Sequence, residues 1–210
     1  LFYTIFSSFS STFLNFMKIF DFYTLLCYHK CMCYLLNFEI NILEAIRNSL
    51  SCGTLDGIMK FLSAINNHGE IWLAAALVML LLPKYRRMGA GVLSALLLEV
   101  LLCSLFLKPL VGRMRPFTAN PSASLIIPPP DDFSFPSGHT ASSFAAATAI
   151  FIRNKRLGTV AFILSALVGF SRLYLYVHYP TDVLCGAALG LLSALISDVF
   201  INKFLSKKGL

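Results

Sequence analysis

AGVLSALLLEVLLCSLFL, residues 90–107, decides the fold class. Eighteen residues of this character match the length an α-helix needs to span a hydrocarbon layer of ~30 Å. Three more apolar runs follow the same pattern: IWLAAALVMLLL (71–82), TVAFILSALVGF (159–170) and VLCGAALGLLSALISDVFI (183–201). Over 210 residues, 57% are hydrophobic and only 13% charged, which excludes an ordinary water-soluble surface. The chain reads as all-α, a polytopic membrane helical bundle.

A net charge of +7 invites a nucleic-acid reading. The basic residues, however, lie between the apolar runs and are not gathered on one face among stacking aromatics, so no nucleic acid partner is expected. KYRR (84–87), RNKR (153–156) and Lys203, Lys207 and Lys208 hold nine of the seventeen Lys and Arg, and they recur after every second run. The positive-inside rule makes these clusters cytoplasmic. About six transmembrane helices are expected, near 54–67, 70–83, 88–107, 138–152, 157–176 and 182–202, with both termini inside. The short first, second and fourth stretches also allow five spans plus an interfacial helix. Residues 38–50 carry apolar positions at helical spacing (Ile40, Ile42, Leu43, Ile46, Leu50), which suits an amphipathic N-terminal helix lying at the interface.

Residues 1–36 contain no Gly, Ala, Pro, Val, Glu or Arg, and the composition changes abruptly after them. The first basic residue, Lys18, follows the apolar part, unlike a secretory signal. The expectation is an atypical extension (1–36) outside the fold and a membrane-embedded domain over 37–210; a Phe-rich membrane-associated helix is the rival reading. The six cysteines show no framework spacing, and Cys27, His29 and Cys31 lack a second ligand pair, so no metal and no cofactor is expected.

This orientation puts 108–137 and 172–181 on the outer side, where Lys108, Arg113, Arg115 and Arg172 are the only basic residues. A cation deep in a span costs ~2.5–3.5 kcal/mol on insertion scales, so such groups at helix ends point to a partner or a ligand. Three stretches share this face: KPLVGRMRP (108–116), FPSGH (135–139) and SRLYLYVHYPTD (171–182). They supply three permanent cations (Lys108, Arg115, Arg172), two histidines (His139, His178) and a carboxylate (Asp182). Phosphoryl transfer without metal uses such a set, with fixed cations on the equatorial oxygens and a side chain attacking in line. Ser137 as cap and Gly138 would open the helix at TASSFAAATAIFI to an anion. Two histidines can serve as nucleophile and general acid, and Asp182 can orient His178 across the turn that Pro180 imposes.

At these residues the chain resembles the type 2 phosphatidic acid phosphatase family of integral membrane lipid phosphatases. The family signature is Lys-x6-Arg-Pro, Pro-Ser-Gly-His and Ser-Arg-x5-His-x3-Asp. All of it is present, as Lys108 to Arg115-Pro116, 136–139, and Ser171-Arg172 to His178 and Asp182. The resemblance covers about 38–205. It implies a metal-independent phosphohistidine mechanism, with His178 the nucleophile, Asp182 its orienter and His139 the acid. Lys108, Arg115, Ser137, Gly138 and Arg172 would form the phosphate cradle. It further implies a multi-pass protein of the cell membrane, its site on the extracytoplasmic side and a lipid phosphate or diphosphate as substrate. Undecaprenyl diphosphate is the leading candidate. Phosphatidic acid or phosphatidylglycerol phosphate is the alternative, and a vanadium haloperoxidase or a non-catalytic lipid-binding or transport protein is the rival class. Arg113 is expected as a solvated rim residue, Asp131 and Asp132 as loop caps, His68 as a polar turn residue, and Tyr174, Tyr176 and Tyr179 as an aromatic interface belt.

Overall fold

The computed structural model describes residues 33–67, 69–120 and 123–207, with side chains as far as residue 203. His68 and the Cys27–Cys31 segment lie outside the described residues. Two compact units divide at Asn41–Ile42. Residues 33–50 are helical (α1), so the described part of the first unit is helix.

In the second unit the order is α2 (Gly53–Ala64), α3 (Glu70–Leu81), α4 (Arg86–Val100), α5 (Lys108–Val111), α6 (Pro116–Ala119), α7 (Gly138–Arg153), α8 (Lys155–Tyr174) and α9 (Pro180–Lys207). No strand occurs among the described residues. The all-helical expectation holds, and α2, α3, α4, α7, α8 and α9 fall on the six expected stretches. Among the described residues three stretches are long and apolar enough to span a membrane: Pro83–Ala119, Lys155–Tyr174 and Pro180–Lys203. Helix α3 is apolar but shorter. Twelve residues of α2 reach about 18 Å at 1.5 Å per residue, well short of the hydrocarbon thickness.

Large apolar side chains along these helices face outward, among them Leu97, Leu105, Phe106, Val160, Ile163, Leu184, Val199 and Phe200. A water-soluble protein would leave a continuous apolar surface of this kind unsolvated, whereas lipid tails cover it. The interior is made of small residues. Helix α7 buries Ala141, Ala145, Ala146, Ala147 and Ala149 together with Thr140, Ser142 and Ser143, and it packs on α3, α4, α8 and α9 as the central helix. Its buried hydroxyl Ser143 Oγ accepts from Trp72 Nε1 at 3.1 Å and Asn66 Nδ2 at 3.0 Å.

Close approach of α7 and α9 rests on two glycines. A Cβ on Gly190 would stand 2.2 Å from the Ala141 carbonyl oxygen, and one on Gly186 would stand 2.6 Å from that of Ser137. Both neighbours are backbone, so neither can rotate away; small residues at such contacts let membrane helices pack tightly. Gly190→Ala is therefore expected to push the helices apart at a cost of about 1–3 kcal/mol. Thermal melting in detergent should fall by several degrees, whereas Gly57→Ala, which meets nothing within 4 Å, should leave it unchanged.

Candidate active site

The three motif stretches arrive at one place for separate local reasons. Helix α4 runs on through a π-helical segment, Leu101–Leu107, into α5, which begins at Lys108 and stops at Gly112 in the left-handed conformation (φ 59°). Arg115 follows in an extended linker and Pro116 starts α6. Helix α8 ends at Tyr174, and Tyr176 (φ 63°) turns the chain back, with its N–H bonded to Leu173 O at 3.0 Å. Two residues later stands His178. Pro180 opens α9 at the position where its missing N–H costs nothing, and Asp182 in the first turn accepts from Tyr179 N at 2.9 Å, one half of a capping box.

These elements enclose a cavity of about 820 Å³ lined by Lys108, Arg115, Gly138, His139, Arg172 and His178, six of the eight residues anticipated from the sequence. The other two stand behind it. Asp182, fully buried, takes the Arg113 guanidinium on Oδ1 at 2.7 Å and the Ser134 hydroxyl on Oδ2 at 2.5 Å. Ser137 stands at the N-cap position of α7, as expected, but its hydroxyl makes no cap hydrogen bond. Its hydroxyl pairs with Thr140 Oγ1 at 2.9 Å, and its N–H donates to Asp182 O at 3.0 Å, sewing the start of α7 to that of α9.

The imidazole of His178 is 1% exposed. Its Nε2 faces Arg115 Nη1 at 3.2 Å; a guanidinium can only donate, so Nε2 holds a lone pair and the proton sits on Nδ1. Nδ1 faces Ser134 Oγ at 3.5 Å and Asp182 Oδ2 at 3.6 Å. Ser134 thus stands beside both the ring and the carboxylate, donating to Asp182 while its own oxygen faces Nδ1. Burial pushes the His178 pKa down to about 3; Asp182 opposes the shift and Arg115 reinforces it. The ring is a neutral base at ordinary pH, and its Nε2 lone pair accepts from the arginine.

Arg172, 3% exposed, donates from Nη1 to Ser63 Oγ, while its buried Nε has no partner among the described residues. His139 is the second residue of α7; its Nε2 lies 3.4 Å from Asn67 Oδ1, and its carbonyl accepts from Asn66 Nδ2 at 2.9 Å. A Cβ at Gly138 would meet Cys103 Sγ at an ordinary 3.8 Å, so no protein atom demands glycine there, and any need for it lies on the cavity side.

Several sequence expectations are overturned. Arg113 is no rim residue: it binds Asp182 and Thr181 Oγ1, the latter at 2.7 Å, with its guanidinium 3.9 Å from the Tyr179 ring centroid. Tyr174, Tyr176 and Tyr179 are all buried, not an interface belt. They serve the turn that presents His178: the Tyr174 hydroxyl donates to Asp56 at 2.6 Å, and that of Tyr176 accepts from Asn120 at 3.2 Å. Asp132 does not merely solvate its loop but pairs with both Lys108 and Arg115. Burial alone would raise its carboxyl, yet the two cations hold it down at about 2. Also missed were Ser134, Asn66, Asn67 and the buried Glu99, which lines the same cavity. Only Glu99 had a signal, a carboxylate inside an apolar run, where a charge is costly. Among the described residues no group of three His, Cys, Asp or Glu is arranged to hold a metal ion.

The PAP2 superfamily model matches residues 87–205, the stretch that contains every motif. The chain belongs to this superfamily. It is 30% identical over 156 residues to an undecaprenyl-diphosphatase of Sulfolobus acidocaldarius, covering 74% of each chain. It is 34% identical over 134 residues to the undecaprenyl-diphosphatase BcrC of Bacillus subtilis, covering 62% of this chain and 66% of that one. Among solved structures it superposes on the transmembrane PAP2-type phosphatidylglycerolphosphate phosphatase of Bacillus subtilis with a TM-score of 0.67 and 25% identity, covering 80% of this chain and 86% of that one. This PAP2 protein is accordingly a multi-pass membrane phosphatase of the lipid-phosphate class.

Proposed function

We propose that this protein hydrolyses the terminal phosphate of a polyprenyl diphosphate, with undecaprenyl diphosphate the leading substrate, at a site on the extracytoplasmic face. The observation that carries the reading is the convergence of Lys108, Arg115, Arg172, Gly138, His139 and His178 on one cavity. Cations and a helix N-terminus bind the phosphoryl oxygens, and His178 Nε2 attacks phosphorus from the side opposite the leaving oxygen. The P–O bond breaks as the P–N bond forms, and the lipid phosphate leaves after protonation by His139. Water then attacks the phosphohistidine and gives a proton to the now neutral His139; the P–N bond breaks, inorganic phosphate leaves, His178 is neutral again and His139 is again protonated. Asp182, through Ser134 and Nδ1, holds the ring and stabilises the positive charge it acquires. Likeness to two undecaprenyl-diphosphatases supports the substrate class, and the basic clusters at 84–87 and 153–156 support the orientation.

One experiment tests substrate, side and metal independence together. Purified protein in sealed vesicles of known orientation is given a membrane-impermeant short prenyl diphosphate, and in detergent it is given undecaprenyl diphosphate, phosphatidic acid and phosphatidylglycerol phosphate. Phosphate release is followed with and without excess EDTA. The expected result is release from the outer side, fastest on diphosphates and unchanged by EDTA. Faster release from phosphatidylglycerol phosphate would move the activity to phospholipid synthesis, release from the inner side would reverse the orientation, and reversible loss in EDTA would overturn the metal-free mechanism.

A further inference from the structure

Lys108 and Arg115, two cations of the cradle, are already engaged by one carboxylate. Asp132 Oδ2 accepts from Lys108 Nζ, and Oδ1 accepts from Arg115 Nη2 at 2.5 Å. One oxygen on each of two neighbouring cations is the pattern in which two non-bridging oxygens of a phosphoryl group would be held. The side chain is nonetheless the exposed member of the cluster, at 55%, while Lys108 and Arg115 are 11% and 4% exposed. Nor does the loop depend on it for attachment. Arg115 Nε donates to the backbone carbonyl of Asp132 at 2.8 Å, and Ser134 N donates to Arg113 O at 2.8 Å. A rotation about the Asp132 side-chain bonds would free Lys108 Nζ and Arg115 Nη2 together and leave the loop where it is. Arg115 Nη1 would stay on Val177 O, at 2.7 Å, and beside His178.

We infer that the Asp132 carboxylate is an internal ligand of the phosphate cradle, which a substrate phosphate displaces and which returns to displace product. This rests on the proposed phosphate site. The physical ground is like-charge exclusion: a phosphate and a carboxylate repel strongly when both approach the same two cations in a half-buried site. A phosphate group brings more charge and more acceptor oxygens than a carboxylate, so it wins when present. In competition of this kind the apparent affinity of every incoming anion is reduced by the fraction of cradles that Asp132 holds. The same exchange speeds release of inorganic phosphate, which would otherwise remain on the buried cations.

The test is inhibition by inorganic phosphate, which does not depend on which lipid is the natural substrate. Asp132→Asn keeps the side-chain shape and the backbone bond to Arg115 but removes the charge. Its inhibition constant for phosphate is expected to fall about tenfold or more, with KM falling in the same direction and melting temperature close to wild type. Asp132→Glu, which keeps the charge, should stay within a few-fold of wild type and serves as the decisive variant if Asp132→Asn fails to fold; a glutamate variant as phosphate-sensitive as that expected for asparagine would then overturn the inference. An unchanged or weaker phosphate inhibition in folded Asp132→Asn overturns it also. If wild-type protein is not inhibited by phosphate at all, the proposed phosphate site itself is wrong, an outcome separate from the first.

Discussion

His178→Ala should abolish turnover, by about 10⁴-fold or more, and should leave no phosphorylated protein when the reaction is quenched with labelled substrate. In the mechanism we propose the imidazole supplies the attacking lone pair, and no other described side chain shares its position between Arg115 Nη1 and Asp182. The variant is a clean test because the buried carboxylate does not lose its support: Asp182 keeps Arg113, Ser134 and the Tyr179 N–H. His139→Ala should behave differently. On a substrate with a good leaving group it should still form the phosphoenzyme, since protonation of the leaving oxygen is then dispensable. A fully active His178→Ala, or label retained by it, would sink the covalent mechanism.

Arg115→Ala should lower kcat/KM by roughly 10²–10³, the scale seen when one preorganised donor to a developing charge is removed. The guanidinium acts in two directions at once. Its Nη1 ties Val177 O and faces the His178 nitrogen, and its other nitrogens meet Asp132. Removing it also strips a buried carbonyl of its donor, which costs about 1–3 kcal/mol and should lower the melting temperature. Arg115→Lys separates the two effects. A lysine keeps the charge as a single point and cannot fork between a carbonyl, an imidazole and an anion. It should recover most of the stability and little of the rate. Full recovery of rate would mean that charge alone, without the fork, carries the role.

The order of the helices and the candidate residues that gather at one cavity were legible in the residues because both are written in local spacing. Apolar runs of membrane length announce α4, α8 and α9, and the distances Lys108 to Arg115 and Arg172 to His178 to Asp182 lie within single stretches of chain. The last helix, expected near 182–202, starts two residues earlier, because Pro180 fits its first position with its fixed φ and missing N–H. Less was legible about which helices cross the membrane, since α2 combines twelve residues with Asp56 and Lys60, and composition gives a short polar-marked helix no decisive signal.

What the sequence by itself determined is therefore an all-helical membrane bundle with cations, histidines and a carboxylate at neighbouring helix ends. What only the tertiary structure decided is which of those groups face the cavity and which stand behind them. The Ser137 hydroxyl went to Thr140 and its N–H to the start of α9, and Gly186 lets the two helices come close enough for that bond. Arg113 went to Asp182 and Asp132 to Lys108 and Arg115, although their spacing along the chain marks none of these pairs. The tyrosines went inside because the turn after α8 needs filling and their hydroxyls find Asp56 and Asn120 there. Spacing within a stretch is set by helix geometry and can be read directly. Pairing between stretches 17 to 118 residues apart is set by how helices pack and where buried charges and hydroxyls must find partners, and that is a property of the assembled bundle.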